Sequence, residues 1–175
     1  MNKKGISTIV GSVILIAIVF AVGAIVWGVI NNTVNDSLKG TTSCNNIMGK
    51  IELNPSYICF DATGKRLVFS INIKDIEVNG MLISLSKSGA TKSIEFIDGV
   101  GPTNSEDITL YPSGGATELP GENEGLTYVY NTTGTSFETG VDLIEIAPKI
   151  DGNQCSTIDS ISNIPTCVSM GITFS

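Results

Sequence analysis

The residue types that most often carry chemistry are thinly supplied in this chain. No histidine occurs among its 175 residues, which removes histidine-dependent nucleophile triads and imidazole metal ligands. Four cysteines are present, Cys44, Cys59, Cys155 and Cys167. An even count favours two disulfides in an exported domain, and pairing would remove any free thiolate nucleophile. Three connectivities are open. The expected one is local, Cys44 with Cys59 and Cys155 with Cys167, each closing a loop of roughly a dozen residues worth about 3 kcal/mol.

The carboxylates offer little more. Glu122 and Glu124 form an acid pair, but they sit between Pro120-Gly121 and Gly125, and acid/base catalysis needs rigid placement. They read as solvated charge. Asp151-Gly-Asn153 faintly resembles the start of a calcium loop, yet the later ligands and terminal Glu are missing. No metal site, cofactor or enzyme activity is expected. Three N-glycosylation sequons occur, at Asn31, Asn35 and Asn131. With 14 Asn and 35 Ser or Thr in the chain, about three sequons arise by chance, so their number carries no information. Asn131 follows an expected strand and should be exposed, which makes it the best placed. Asn31 and Asn35 would be buried if their segment packs into a helical bundle.

The elements that position these residues fall into two parts. From Ile6 to Ile30 runs an apolar segment, and no ionisable side chain stands between Gly5 and Asn35. As a helix rising ~1.5 Å per residue it spans nearly 40 Å, enough to cross a ~30 Å hydrocarbon layer. Its β-branched residues favour strand in water. In lipid a lone strand would leave its backbone unpaired, so helix is expected. The run is too long for a cleaved secretory signal. Ala17, Ala21, Ala24 and Gly28 recur at helical spacing and form a stripe that admits close approach of another helix. Trp27 suits an interfacial anchor. The helix is expected to continue to about Lys39 and stop at Gly40, with Thr41-Thr42-Ser43 as a linker.

Beyond Ile47 the pattern becomes short, β-rich runs separated by turn signals. Strands are expected at Ile47–Leu53, Ser56–Asp61, Arg66–Ile73, Asp75–Val78, Met81–Ser86, Ser93–Ile97, Ile108–Tyr111, Leu126–Tyr130, Val141–Ile146 and Val168–Phe174. Asp61-Ala-Thr-Gly64 should close a hairpin. The stretch from Gly99 to Gly125, with its Gly and Pro pairs, reads as loops on a variable outer face. The expected fold is therefore α+β, a long hydrophobic helix followed by an antiparallel, Ig-like β-sandwich. The parts run over residues 1–5, 6–40 and 41–175.

Charge orients the chain. Net charge is −7; with Lys3 and Lys4 set aside, 8 of the 10 basic residues face 17 acidic ones, a balance of −9. A basic stub, an apolar run and an acidic domain obey the positive-inside rule for an exported C-terminus. Arg66 is the only arginine and the lysines are scattered, so no basic surface exists for nucleic acid.

The junction Met1-Asn-Lys-Lys-Gly5, followed at once by Ile6-Ser-Thr-Ile-Val-Gly-Ser-Val-Ile-Leu, resembles the class III signal peptide of archaeal type IV pilins over residues 1–35. Bacterial type IV pilins usually carry Glu at the fifth mature position; here that position is Val10. The resemblance implies cleavage by a membrane prepilin peptidase between Gly5 and Ile6, with the helix retained. It also implies pilus assembly machinery as a partner and a β-rich head. Polymerisation would bury the helix, including Ile6, Val10, Ala17, Ala21, Ala24 and Gly28, against copies of itself. The expected function is a homopolymeric surface filament subunit for adhesion, held in the membrane before assembly. The alternative is a membrane-anchored β domain of the surface or motor machinery that binds a partner without polymerising.

Overall fold

The computed structural model describes residues 4–45, 47–103, 107–112 and 117–172, with side chains in the first helix described over residues 10–34 and at Cys44. The chain divides into two units, Met1–Lys39 and Gly40–Ser175. Among the described residues the elements are one helix, α1 (Lys4–Asn45), and eleven strands. These are β1 (Ile51–Leu53), β2 (Cys59–Asp61), β3 (Arg66–Ile73), β4 (Gly80–Lys87), β5 (Ala90–Ile97) and β6 (Gly101–Thr103). Then follow β7 (Ile108–Tyr111), β8 (Glu124–Asn131), β9 (Leu143–Ile150), β10 (Asn153–Gln154) and β11 (Asp159–Ser162). Short 3-10 turns occupy Pro55–Tyr57 and Cys167–Met170.

An apolar helix followed by antiparallel sheets is the expected α+β arrangement. The helix, however, runs through Gly40 and the anticipated linker to Asn45. A glycine costs only about 1 kcal/mol in a helix interior. Tertiary packing offsets that here, because Cys44 in the last turn packs on the head core and is bonded to Cys155.

The first sheet has the order β1-β3-β8-β7, and β2 pairs the same edge of β3 beyond β1. The second has the order β10-β9-β4-β5-β6, and β11 continues along the outer edge of β9. Every pair of neighbouring strands is antiparallel. Long strands lie inside and short or interrupted ones outside. β3, β4, β5, β8 and β9 have eight residues each, while no edge strand exceeds four. These short strands give other chains little to pair with, although β6 covers only Glu95–Ile97 of β5.

Inward-facing residues of both sheets merge into one apolar cluster. At its centre Tyr128 of β8 stacks on Phe69 of β3 at 5.3 Å and meets Phe96 of β5 edge-on at 5.2 Å, joining the two sheets. Lys92 of β5 reaches the Tyr130 hydroxyl of β8 at 2.9 Å. Along one side the Leu53 N–H of β1 donates to Asp159 of β11 at 2.8 Å, stitching the sheet edges together. The outer face of the first sheet is also partly covered: Val68 and Val129 pack with the Cys59–Cys167 disulfide, Met170 and Ile172. That cover explains why β3 is buried on both faces, whereas β9 alternates strictly.

Several expectations are corrected. The cysteines pair Cys44–Cys155 and Cys59–Cys167, at sequence separations of 111 and 108, not locally. The parallel bridge between Phe60 and Thr166 brings the chain's last turn beside β2 and so Cys167 to Cys59. Of the expected strand Val168–Phe174, the described part, Val168–Ile172, is no strand: Thr166 caps a 3-10 turn that ends at Gly171 and Val168 points to solvent, while Thr173 and Phe174 lie outside the described residues. Residues 47–50 form a turn before β1, and Asn54 caps the 3-10 turn that precedes β2. Asp75–Val78 is a loop that still buries Val78. The stretch from Gly99 to Gly125 contains, besides the expected strand β7, the unexpected strand β6. Pro102 is tolerated in β6 because it is an edge strand.

Candidate functional site: the unburied apolar helix

Between Val10 and Val34, 25 helical residues are apolar enough to cross a membrane, and none is buried within the chain. Large side chains point outward on every side, among them Leu15, Phe20, Ile25 and Trp27, with Phe20 75% exposed. A folded monomer rarely leaves more than a few hundred Å² of contiguous apolar surface to water. A helix apolar around its whole circumference needs lipid or other helices about it. The Thr33 hydroxyl folds back onto the Val29 carbonyl at 3.0 Å, so one of the few polar groups is satisfied within the helix.

Val10, Ala17, Ala21, Ala24 and Gly28 are all exposed. The last four occupy one stripe by helical spacing, and a Cβ built on Gly28 would meet nothing within 4 Å. The stripe is thus open to a close neighbour. Gly5 and Ile6 lie in the first turn of α1, and the Ile6 side chain falls outside the described residues. So does that of Asn35, whereas Asn31 is exposed on the helix. Asn131 is exposed at the end of β8.

Among the described residues no group of three or more His, Cys, Asp or Glu is placed to hold a metal. All four cysteines are in disulfides. Glu124 accepts from the Gly121 N–H at 2.7 Å and closes a turn, while Glu122 is exposed. Asp151-Gly152, the suspected calcium start, is a two-residue hairpin between the paired Ile150 and Asn153. Both residues have positive φ, 50° and 78°, the conformation for which Asp-Gly is suited. Ser88-Gly89 closes the β4–β5 hairpin in the same way, with φ of 46° and 87°. Dipeptides of this type between β-rich runs were the signal that could have located β10. A cavity of about 290 Å³ on the outer face of the first sheet is lined by Tyr57, Val68, Tyr111, Thr127, Gly171 and Ile172. It contains no carboxylate, amine or thiol.

Two carboxylates are tuned, both by structural bonds. Burial works to raise the Asp61 carboxyl, but hydrogen bonds from Gly64, Arg66 and Thr63 and the Arg66 charge outweigh it and hold it below its ordinary value. The Gly64 bond is 3.0 Å and the Arg66 ion pair 2.9 Å. Glu138 is lowered by the Gly134 N–H and by Lys65. Burial, with Glu124 and Glu118 nearby, pushes the Tyr128 phenol upward, so it remains a donor, here to the Glu118 carbonyl at 2.6 Å.

The chain matches no protein-family model, no curated protein and no solved structure. What stands is physical: a helix suited to a membrane or export role and disulfides suited to an extracytoplasmic setting.

Proposed function

We propose that this chain is a structural subunit of a type IV pilus-like surface filament of the archaeal kind, assembled through α1 after cleavage between Gly5 and Ile6. The observation that carries the reading is the 25-residue apolar helix with no burial in its own chain. It precedes a separate disulfide-bonded β head. Before cleavage Lys3 and Lys4 are charged and costly to draw through lipid. After cleavage a terminal amine remains, and neighbouring helices can replace the lipid. Contacts between copies would be heterologous and non-closing, which generates a fibre in place of a ring. The head would coat that fibre, probing its surroundings in adhesion.

We read the head's two sheets as an Ig-like sandwich in general shape. The aromatic contacts that join the sheets around one core support this. Its disulfides lie elsewhere than in a conventional immunoglobulin core: they tie down α1 and the last 3-10 turn.

The second reading is a single-span anchor whose head binds a partner without polymerising. Trp27, 68% exposed near the far end of the apolar span, would suit a permanent interfacial anchor. Electron microscopy of surface filaments sheared from cells, with mass spectrometry of their N-termini, separates the two. Filaments built of this chain and starting at Ile6 support polymerisation. Uncut chain found only in the membrane fraction refutes it.

A further inference from the structure

We propose that Asn131 is an N-glycosylation acceptor and that neither Asn31 nor Asn35 is one, a difference set by backbone geometry and resting on the exported location of the head. An acceptor asparagine must present its amide nitrogen together with the hydroxyl residue two positions on. In an α-helix those positions lie ~200° apart around the axis and do not face each other. Asn31 with Thr33, and Asn35 with Ser37, are both held in this arrangement within α1. The Thr33 hydroxyl is moreover committed to the Val29 carbonyl.

Asn131 is placed differently. It ends β8, its side chain is exposed, and so is that of Thr133. Its Oδ1 accepts the Thr133 N–H at 3.0 Å, which draws the acceptor and the hydroxyl residue into one turn. Nδ2 donates to no acceptor among the described residues and faces solvent. The turn is held from beneath: the buried Thr132 hydroxyl donates to the Lys65 carbonyl at 2.7 Å, and Thr135 donates to the Thr132 carbonyl at 2.7 Å. The Asn131 N–H itself is bonded to the Asp107 carbonyl at 2.9 Å. A glycan at Nδ2 would therefore leave the fold untouched.

The reaction joins Asn131 Nδ2 to the anomeric carbon of a glycosyl donor, a sugar bonded through that carbon to a phosphate-type leaving group. The N–C bond forms as the C–O bond breaks. The electron pair of that bond leaves with the phosphate, and one amide proton passes to a base of the transferase.

The test is mass spectrometry of the full chain purified from its own cells, digested after glutamate and without reduction. The Gly125–Glu138 peptide should carry a surplus of whole sugar residues, retained in Thr133→Ser and lost in both Asn131→Gln and Thr133→Ala. Thr133→Ala keeps Asn131 and its bond to the backbone, so loss of the glycan there is not loss of the fold. Sugar that persists in Asn131→Gln, or sugar on Asn31 or Asn35, overturns the proposal. A bare Asn131 in protein with intact disulfides overturns it alone. A bare Asn131 with free thiols overturns the exported reading as well.

Discussion

At the scale of single residues the head is organised by side chains that satisfy backbone groups. Asp61 is the fullest case. One oxygen accepts the Thr63 and Gly64 N–H groups, and the other pairs with Arg66, so one carboxylate both caps the β2–β3 turn and fixes its return strand. Asp61→Ala should lower stability by about 1–3 kcal/mol near neutral pH, since two N–H groups and a guanidinium lose their partner. Its pH dependence follows from the lowered pKa. The charged form is favoured in the folded state, so the contribution is full above the unfolded value of about 4. It fades as pH falls through the folded value. Urea unfolding of wild type and variant should show a gap that is constant near neutrality and narrows below pH ~4. A gap unchanged down to acid would mean the charge plays no part.

At the scale of elements, both disulfides secure interruptions. Cys155 follows β10 where the outer edge of β9 is handed over to β11, and it holds the last turn of α1. Cys59 opens β2 just after the 3-10 turn that separates it from β1, and it holds the last turn of the chain. Loops of this length are expected to yield about 4–5 kcal/mol each when closed, less any strain. Removing one as the double variant Cys59→Ser with Cys167→Ser should cost about 2–5 kcal/mol and uncover Val68 and Val129. Non-reducing peptide mapping should recover only the pairs Cys44–Cys155 and Cys59–Cys167. Recovery of a Cys44–Cys59 peptide would contradict the packing of both interruptions.

At the scale of the whole molecule, the chain pairs a head that buries its own core with an apolar span, Val10–Val34, that is not buried in its own chain. Val19→Lys places a charge midway along the apolar span, at a cost of about 2.5–3.5 kcal/mol for insertion at a helix centre. Under the filament reading this variant should leave cells without filaments, as seen by electron microscopy, while its head stays disulfide-bonded. Normal filaments would rule out a core of packed helices. Gly5→Trp should block cleavage and leave the chain in the membrane with Lys3 and Lys4 still attached, an outcome read from the intact mass. Normal assembly of that variant would remove the cleavage step from the reading.

The apolar helix was legible in the sequence because length, hydropathy and absence of charge are properties of one segment alone. β3 and β7 were legible to the residue, and of β9 only the first half, Leu143–Ile146, because period-2 alternation reports which face meets a core. β6 and β10 carry too few residues to show a period, and β11 has one apolar residue, Ile161, among polar ones. The helix end at Asn45 and the cysteine partners depended on contacts more than a hundred positions apart. A local pattern states what a segment must bury. Only the folded chain decides against what, because partners are chosen by proximity in space: Thr166 beside Phe60, and Cys155 beside the last turn of α1.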